Sequence, residues 1–113
     1  VKVDTRDGTI VGRVSRRARI VEEDGTENFL GLTLYGLAID RNDNVWYGVI
    51  GPAGFIARID GETHEMTAYR HPGGRTRGIA VDFDGNIYAG EINRMRLVRY
   101  VPFRPPEIGG RTP

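Results

Sequence analysis

The segment "RGIAVDFDGNIYAGE" (77–91) ends on a carboxylate, Glu91, the first residue of this chain that we consider for chemistry. Two short apolar runs flank a D-G-N turn within the segment, so Glu91 falls at the end of the second of two predicted strands. Binding and catalytic side chains often lie where a rigid element passes into a loop. Glu91 is therefore either part of a site or the ordinary polar end of a strand.

The turn inside this segment, "DFDGN" (82–86), begins like a calcium-binding loop, with two aspartates at alternate positions. It lacks the later acidic ligand that such a loop places near its end. The parallel segment "DRNDN" (40–44) has Asp and Asn at the same places. Asp starts many tight turns, and Gly or Asn adopts the positive φ that they contain. The pattern therefore predicts two turns and no metal site.

The two histidines stand in segments that we predict to be loops. His64 falls in a hairpin turn and His71 in the connection "YRHPGG", and neither has a second metal ligand at a fixed spacing. We therefore expect both side chains to be exposed to solvent. The chain has no cysteine, which excludes disulfides, thiolate nucleophiles and cysteine-based zinc sites.

The most basic part of the chain is "RVSRRAR" (13–19), and the acidic run "EEDGTE" (22–27) follows at once. A hairpin with opposite charges on its two arms accounts for both runs. The net charge of +1 does not favour nucleic acid as a partner. Lys2 is the only lysine, and the excess of arginine either suits carboxylate or phosphate recognition or reflects a GC-rich genome. No apolar run approaches about 18 residues, so we predict no membrane span.

An internal repeat organises the chain. The segment "YGLAIDRNDNVWYGV" (35–49) aligns with 77–91 at an offset of 42 residues. The identical pairs are Gly36/Gly78, Ala38/Ala80, Asp40/Asp82, Asn44/Asn86 and Gly48/Gly90. Further on, "FIARID" (55–60) aligns with "RLVRYV" (96–101) after a slip of one residue. So many matches at one offset indicate a repeated structural unit.

Each repeat divides into short runs rich in Val, Ile and Tyr and bounded by Gly, Asp and Asn, which predicts strands. No segment keeps a helical period for three turns. Four strands in a repeat of about 42 residues are typical of a β-propeller blade. We therefore predict an all-β fold, a β-propeller segment of about two to three four-stranded blades that does not close a ring by itself. Trp46 and Tyr88 hold equivalent strand positions, where we expect an aromatic ring to pack between blades.

The predicted boundaries follow from the repeat. Residues 1–12 resemble residues 57–68, so we predict that 1–13 form the last two strands of a preceding blade and that 14–34 form a long connecting loop or hairpin. A complete blade (35–76) and a second blade without its last strand (77–101) precede a Pro/Gly-rich tail (102–113). Since a propeller ring needs at least about four blades, the chain either belongs to a longer propeller or assembles with copies of itself.

Two segments carry a family resemblance. With its G-I-A-V-D, D-G-N-I-Y and N-x-R elements, 77–100 resembles an NHL-type propeller repeat. The segment "FIARIDGETHEMTAYRHPGG" (55–74), with I-x-R-I-D and T-x-E-x-T-x-Y, is similar to a repeat of the streptogramin B lyase (virginiamycin B lyase) family. The resemblance covers about residues 35–101 well and implies a propeller. It implies less about function, because propellers carry unrelated activities.

The lyase family opens an ester-linked ring by elimination and uses a divalent metal such as Mg²⁺. In its pattern a catalytic His directly precedes the G-I strand, a Glu follows 14 residues later, and a second His lies just beyond. The matching positions here are Arg77, Glu91 and Asn93, so only the Glu is retained. The neighbouring blade starts with Tyr35 and keeps none of the three. Arginine stays protonated and is no general base, so neither blade carries the elimination machinery.

The same resemblance implies that four residues lie at the axial end of the blades, where loops meet in a polar funnel: Tyr35, Arg77, Glu91 and Asn93. We expect these residues to contact a ligand there. Glu91 facing Arg77 would either bind a charged ligand or metal, or form a simple ion pair.

Two functions stay open from the sequence. In the first, the chain is a ligand- or protein-binding module with no catalytic His and no cofactor in this segment, and its partners are the rest of a longer propeller, copies of itself, a protein or a small molecule. In the second, it is a fragment of a propeller lyase with Mg²⁺ and catalytic histidines in blades outside this chain. The resemblance favours a periplasmic or secreted location in either case.

Overall fold

The structure, a computed structural model, describes residues 2–12, 17–22, 24–91, 95–101 and 107–110, with the backbone alone for 21 and 107–110. The strands are β1 (Lys2–Val3), β2 (Ile10–Gly12), β3 (Arg17–Val21), β4 (Glu27–Gly31), β5 (Thr33–Ile39), β6 (Val45–Gly51), β7 (Phe55–Ile59), β8 (Met66–Arg70), β9 (Thr76–Val81), β10 (Ile87–Glu91), β11 (Arg96–Tyr100) and β12 (Glu107–Gly110). The prediction of an all-β fold is confirmed for these ranges. No helix in them is long and apolar enough to cross a bilayer.

A six-stranded sheet contains the first complete repeat, in the order β4-β3-β8-β7-β6-β5. Strands β5 to β8 form an antiparallel meander, as expected for short strands joined by tight turns. Strand β3 then joins β8 in parallel, with Arg19 opposite Thr67, and β4 pairs antiparallel with β3. The segment 14–34 therefore contains a hairpin that widens this sheet beyond the four strands predicted for a blade.

A four-stranded antiparallel sheet contains the second repeat, in the order β12-β11-β10-β9. Its fourth strand corrects the prediction that this unit lacks one, since the backbone at 107–110 pairs with β11. The segment 102–113 is predicted as a tail because it is rich in Pro and Gly, which are depleted in strands. Backbone N–H and C=O groups form a ladder without strand-forming side chains, so an exposed strand edge can still recruit this segment.

The sequence repeat is also a structural repeat. Gly48 lies opposite Ile56 in the first sheet, and Gly90 lies opposite Leu97 in the second. These pairings reproduce the slip of one residue between the two copies. The equivalence of the two sheets is therefore defined residue by residue across their first three strands.

The two repeated sheets pack face to face through a small apolar core. Ile56 of the six-stranded sheet is buried against Ile87 and Ala89 of the four-stranded sheet. Four partly buried side chains complete this core: Trp46, Ile79, Val81 and Tyr100. Trp46 packs between the sheets as predicted. Its equivalent Tyr88 lies on the face of its own sheet opposite to this core, since it alternates with Ile87 and Ala89 along β10.

Glycine allows the two sheets to approach closely. A Cβ on Gly48 would lie 2.7 Å from the carbonyl oxygen of Thr76 and 2.9 Å from that of Arg77, so β9 crosses β6 almost in backbone contact. Thr76 is fully buried at this crossing. Its hydroxyl donates to the Phe55 carbonyl (3.2 Å) and accepts from the Val49 N–H (2.8 Å), which ties the second sheet to two strands of the first.

The short β1–β2 hairpin forms a separate two-stranded sheet. It lies against the turns of the six-stranded sheet, where Lys2 Nζ donates to the Gly61 carbonyl at 3.4 Å. Between Val3 of this hairpin and the strands β5, β6 and β7 there is a cavity of about 330 Å³. The face of the six-stranded sheet turned away from the four-stranded sheet carries the larger buried core, which includes Val49, Phe55, Ala57 and Ala68. Next to the β1–β2 hairpin, Leu37 and Ile39 of this face stay exposed.

Candidate functional site

Glu91 is buried at the end of β10, opposite Thr76 of β9. Its carboxylate accepts two hydrogen bonds from one guanidinium, from Arg96 Nε to Oε2 and from Arg96 Nη2 to Oε1, both at 2.9 Å. Arg96 is the first residue of the adjacent strand β11 and faces Glu91 directly in the register. The bidentate geometry holds both groups in one orientation.

His71 makes a second contact with the same carboxylate. Its Nε2 is hydrogen-bonded to Glu91 Oε1, and its Nδ1 is hydrogen-bonded to the Tyr100 hydroxyl. Because an ionised carboxylate only accepts hydrogen bonds, the proton of this contact lies on Nε2. The prediction that His71 is exposed is wrong, since its side chain is fully buried. We call His71, Glu91, Arg96 and Tyr100 the Glu91 cluster.

The connection between the two repeated sheets closes over the Glu91 cluster. The His71 N–H donates to the Gly54 carbonyl at 2.8 Å, and Arg96 Nη2 donates to the Pro72 carbonyl at 3.1 Å. A Cβ on Gly73 would overlap Glu91 Oε1 and Arg96 Nη2, so only glycine fits there without a shift. The "HPGG" segment is therefore a lid of backbone that packs on the ion pair.

The electrostatics of the cluster keep Glu91 charged. Burial raises the pKa of this carboxyl, but the hydrogen bonds and charges of Arg96 and His71 outweigh burial, and the pKa is held below its ordinary value. Burial and the charge of Glu91 together raise the pKa of the Tyr100 hydroxyl, which stays a phenol at neutral pH.

The order carboxylate, imidazole, hydroxyl is one that can relay a proton. Here the side chains of His71 and Glu91 are only 0% and 1% exposed, and both carboxylate oxygens are paired. A substrate cannot reach the imidazole without opening the connection at 71–74. The cluster therefore holds the connection 71–74 against the four-stranded sheet in this conformation.

Tyr35 and Arg77 lie together on the surface, apart from the paired groups of the cluster. The guanidinium carbon of Arg77 is 5.8 Å from the centre of the Tyr35 ring, within reach of a cation–π interaction. The two side chains are exposed, and they stand on β5 and β9, the equivalent strands of the two repeats. Both strands have a bulge at this point, a feature common beside functional sites.

Of the four residues predicted to contact a ligand, the structure brings Tyr35 and Arg77 together. The arginine bound to Glu91 is Arg96, not Arg77 as expected from the sequence. Arg77 points outward because the bulge turns the neighbouring Thr76 inward. Asn93 lies outside the described residues. The sequence does not predict that His71 and Arg96 belong to the Glu91 cluster. A weak signal exists, since a histidine precedes Pro-Gly-Gly and a nearby strand contains Arg and Tyr.

Asp82 shows why the "DFDGN" segment is a turn. Its Oδ1 accepts from the backbone N–H of Asp84 and Asn86, and its Oδ2 accepts from Asn86 Nδ2 and the Tyr88 hydroxyl. Asp40 makes the same four bonds in the first repeat, with the Trp46 indole N–H in place of the hydroxyl. The turn interpretation is confirmed at both places. No group of three or more possible metal-binding side chains occurs among the residues that the structure describes.

The opposite charges around residues 17–27 meet in the β3–β4 hairpin, as predicted. Arg19 Nη1 lies 3.5 Å from Glu27 Oε1 across the hairpin, and both side chains are about half exposed. The adjacent Glu22 pairs with Arg70 of β8. The basic run is thus partly neutralised within the sheet.

No protein-family model matches this chain, and no curated protein matches it. The structure defines this chain as an all-β protein with several open sheets, two of which are repeats of each other.

The buried carboxylate predicts how stability depends on pH. Because the pKa of Glu91 is lower in the folded chain than its ordinary value of 4.5, its contribution is fully present above that value and is lost as the pH falls through the folded pKa. Urea unfolding between about pH 7 and pH 3 should show that the free energy of unfolding falls more steeply with decreasing pH for the wild type than for Glu91→Gln. Equal slopes for the two proteins would show that Glu91 is not ionised and paired.

Proposed function

We propose that this chain is a propeller-type binding module whose ligand or protein partner contacts the surface formed by Tyr35 and Arg77. The two repeated sheets would be blades, in keeping with the resemblance to NHL and streptogramin B lyase repeats. The observation that carries the proposal is the exposed pair itself, an arginine beside an aromatic ring at two adjoining bulges. Such a pair offers a guanidinium fork to an anion and a ring face to an apolar or flat group.

The ligand class follows from this chemistry. A carboxylate or phosphate on an otherwise apolar or aromatic group would use both parts of the pair. Arg75 stands on the same stretch of chain, but its Nε donates to the Ile50 carbonyl at 2.7 Å, so Arg77 is the arginine better placed to turn toward a ligand. We favour binding over elimination because both oxygens of Glu91, the residue shared with the lyase pattern, already have partners.

The test is a titration with sodium benzoate and with sodium phosphate, followed by backbone amide shifts in two-dimensional NMR. We expect benzoate to shift amides around residues 35–37 and 76–78, and Arg77→Ala to weaken this binding about tenfold or more, the usual loss for a charge-assisted hydrogen bond. Arg41→Ala is the matched control, since Arg41 lies 5.9 Å from the exposed Phe83 ring at the opposite turns. Equal losses in the two variants, or shifts spread over all arginines, would contradict the proposal.

A further inference from the structure

The internal interface joins two different faces of equivalent sheets. The six-stranded sheet contributes the face that carries Trp46 and Ile56. The four-stranded sheet contributes the face that carries Ile79, Ile87 and Ala89, which is not the one equivalent to Trp46 and Ile56. Because the two sheets are repeats, each of them also has the other type of face. Those two remaining faces are directed away from the interface. That of the six-stranded sheet holds a buried core of its own around Val49 and Ala57, and both faces leave apolar side chains exposed.

Part of the outer face of the six-stranded sheet repeats the face by which its partner sheet packs. We call it the Leu37 face, and its members correspond in turn to Ile79, Val81, Ile87, Ala89 and Tyr100: Leu37, Ile39, Val45, Tyr47 and Ile59. Leu37 and Ile39 are 55% and 61% exposed. All five line the cavity of about 330 Å³ in which Val3 forms one wall. Tyr47 and Ile59 also pack against the buried core of the same face, so the part of the Leu37 face open to a partner is the exposed strip of Leu37 and Ile39.

The uncovered face of the four-stranded sheet repeats the other half of the interface. We call it the Leu97 face; Leu97 and Tyr88 correspond there to Ile56 and Trp46. Ile56 is 2% exposed in the internal interface, whereas Leu97 is 47% exposed. Tyr88 is held by its hydroxyl on Asp82 as Trp46 is held by its indole on Asp40, so the two rings project from equivalent anchored positions.

We propose that a second copy of this chain packs its Leu97 face on the Leu37 face of the first, and thereby repeats the internal interface between molecules. The same pair of faces is already packed once within the chain, so a second copy carries the surface that matches the Leu37 face. Apolar side chains that are half exposed in the single chain become buried in this contact, which supplies its driving force.

The contact joins two different surfaces, so it is heterologous: each copy offers one Leu37 face and one Leu97 face. Association then continues head to tail, into a ring if the rotation between copies closes and into an open chain if it does not. The proposal is independent of any ligand at Tyr35 and Arg77, which belong to the edge where β5 and β9 meet.

Sedimentation velocity over a range of concentrations tests the proposal. We expect the wild-type 113-residue chain to associate in a concentration-dependent way. Leu37→Arg and Leu97→Arg should each be monomeric alone, because an unpaired arginine would be buried in every contact. A mixture of the two variants should form a heterodimer, through the intact Leu97 face of one variant and the intact Leu37 face of the other. Phe29→Arg changes an equally exposed apolar side chain outside both faces and should associate like the wild type.

A wild-type chain that stays monomeric at every concentration would overturn the proposal, whatever else is able to cover the Leu37 face. Association of either variant alone at wild-type strength would also overturn it, because both faces are required. A mixture that remains monomeric, while each variant keeps the wild-type far-UV circular dichroism, would exclude a heterologous contact. The wild-type measurement decides by itself if a variant fails to fold.

Discussion

Glu91→Ala is expected to lower the free energy of unfolding by about 3 kcal/mol, because it leaves the buried His71 and the guanidinium of Arg96 without their shared anion. The value is at the low end of the range for buried ion pairs because the Arg96 side chain keeps 15% of its surface exposed and can regain water. Urea unfolding at neutral pH measures the loss. Arg96→Ala should cost a similar amount, and the double variant should cost less than the sum, since the two residues act through one interaction.

Glu27→Ala is the matched control for this experiment. It removes the same type of side chain from an exposed ion pair with Arg19, so its cost should stay below about 1 kcal/mol. If Glu91→Ala were neutral or stabilising, Glu91 would behave as a residue held at a cost to stability, as active-site residues often are. That outcome would favour a catalytic role for Glu91.

Gly48→Ala is expected to cost about 3 kcal/mol, at the upper end of overpacking effects. The added methyl group would meet the carbonyl oxygens of Thr76, Tyr35 and Arg77 at 2.7 to 2.9 Å, and backbone atoms cannot rotate away as a side chain can. The two repeated sheets must then move apart. Trp46 is the only tryptophan and packs between them, so its fluorescence should shift toward that of a hydrated indole as well.

Gly31→Ala is the control for the glycine experiment. A Cβ at Gly31 would meet nothing within 4 Å, and this strand residue should tolerate alanine with a gain of about 0.5 kcal/mol from the lower entropy of the unfolded chain. Equal effects of the two substitutions would mean that β9 does not cross β6 in backbone contact. Unchanged Trp46 fluorescence in a destabilised Gly48→Ala would place the damage elsewhere.

Much of the β-structure was predictable because it depends on local signals. The Asp-Asn turns at 40–44 and 82–86 and the apolar runs around them define strands by short-range chemistry, and the 42-residue repeat carries this definition from one unit to the next. The strand β12 was not predictable in this way. Its pairing depends on the free edge of β11, which is a property of the assembled sheet and not of the segment itself.

The Glu91 cluster was predictable only in part for the same reason. Its carboxylate can be recognised in the sequence because the first repeat has Val49 at the equivalent position. Its partners come from a connection and from a neighbouring strand, His71 twenty residues before it and Arg96 five residues after it. No fixed spacing joins them, and the lyase resemblance points to Arg77 instead, which stands at the position of the family's first His. The bulge in β9 decides between the two by turning Thr76 inward and Arg77 outward.

Glu91 is a buried carboxylate paired with Arg96 and His71, and for this reason we propose ligand contact at Tyr35 and Arg77 instead. The most direct test is an NMR titration of the Glu91 side-chain carboxyl carbon in the folded chain. The predicted result is a pKa below the ordinary value of 4.5, together with loss of the tertiary structure when this group is protonated. A pKa raised above that value, in a chain that stays folded through the titration, would contradict the account and indicate a carboxyl available for acid–base chemistry.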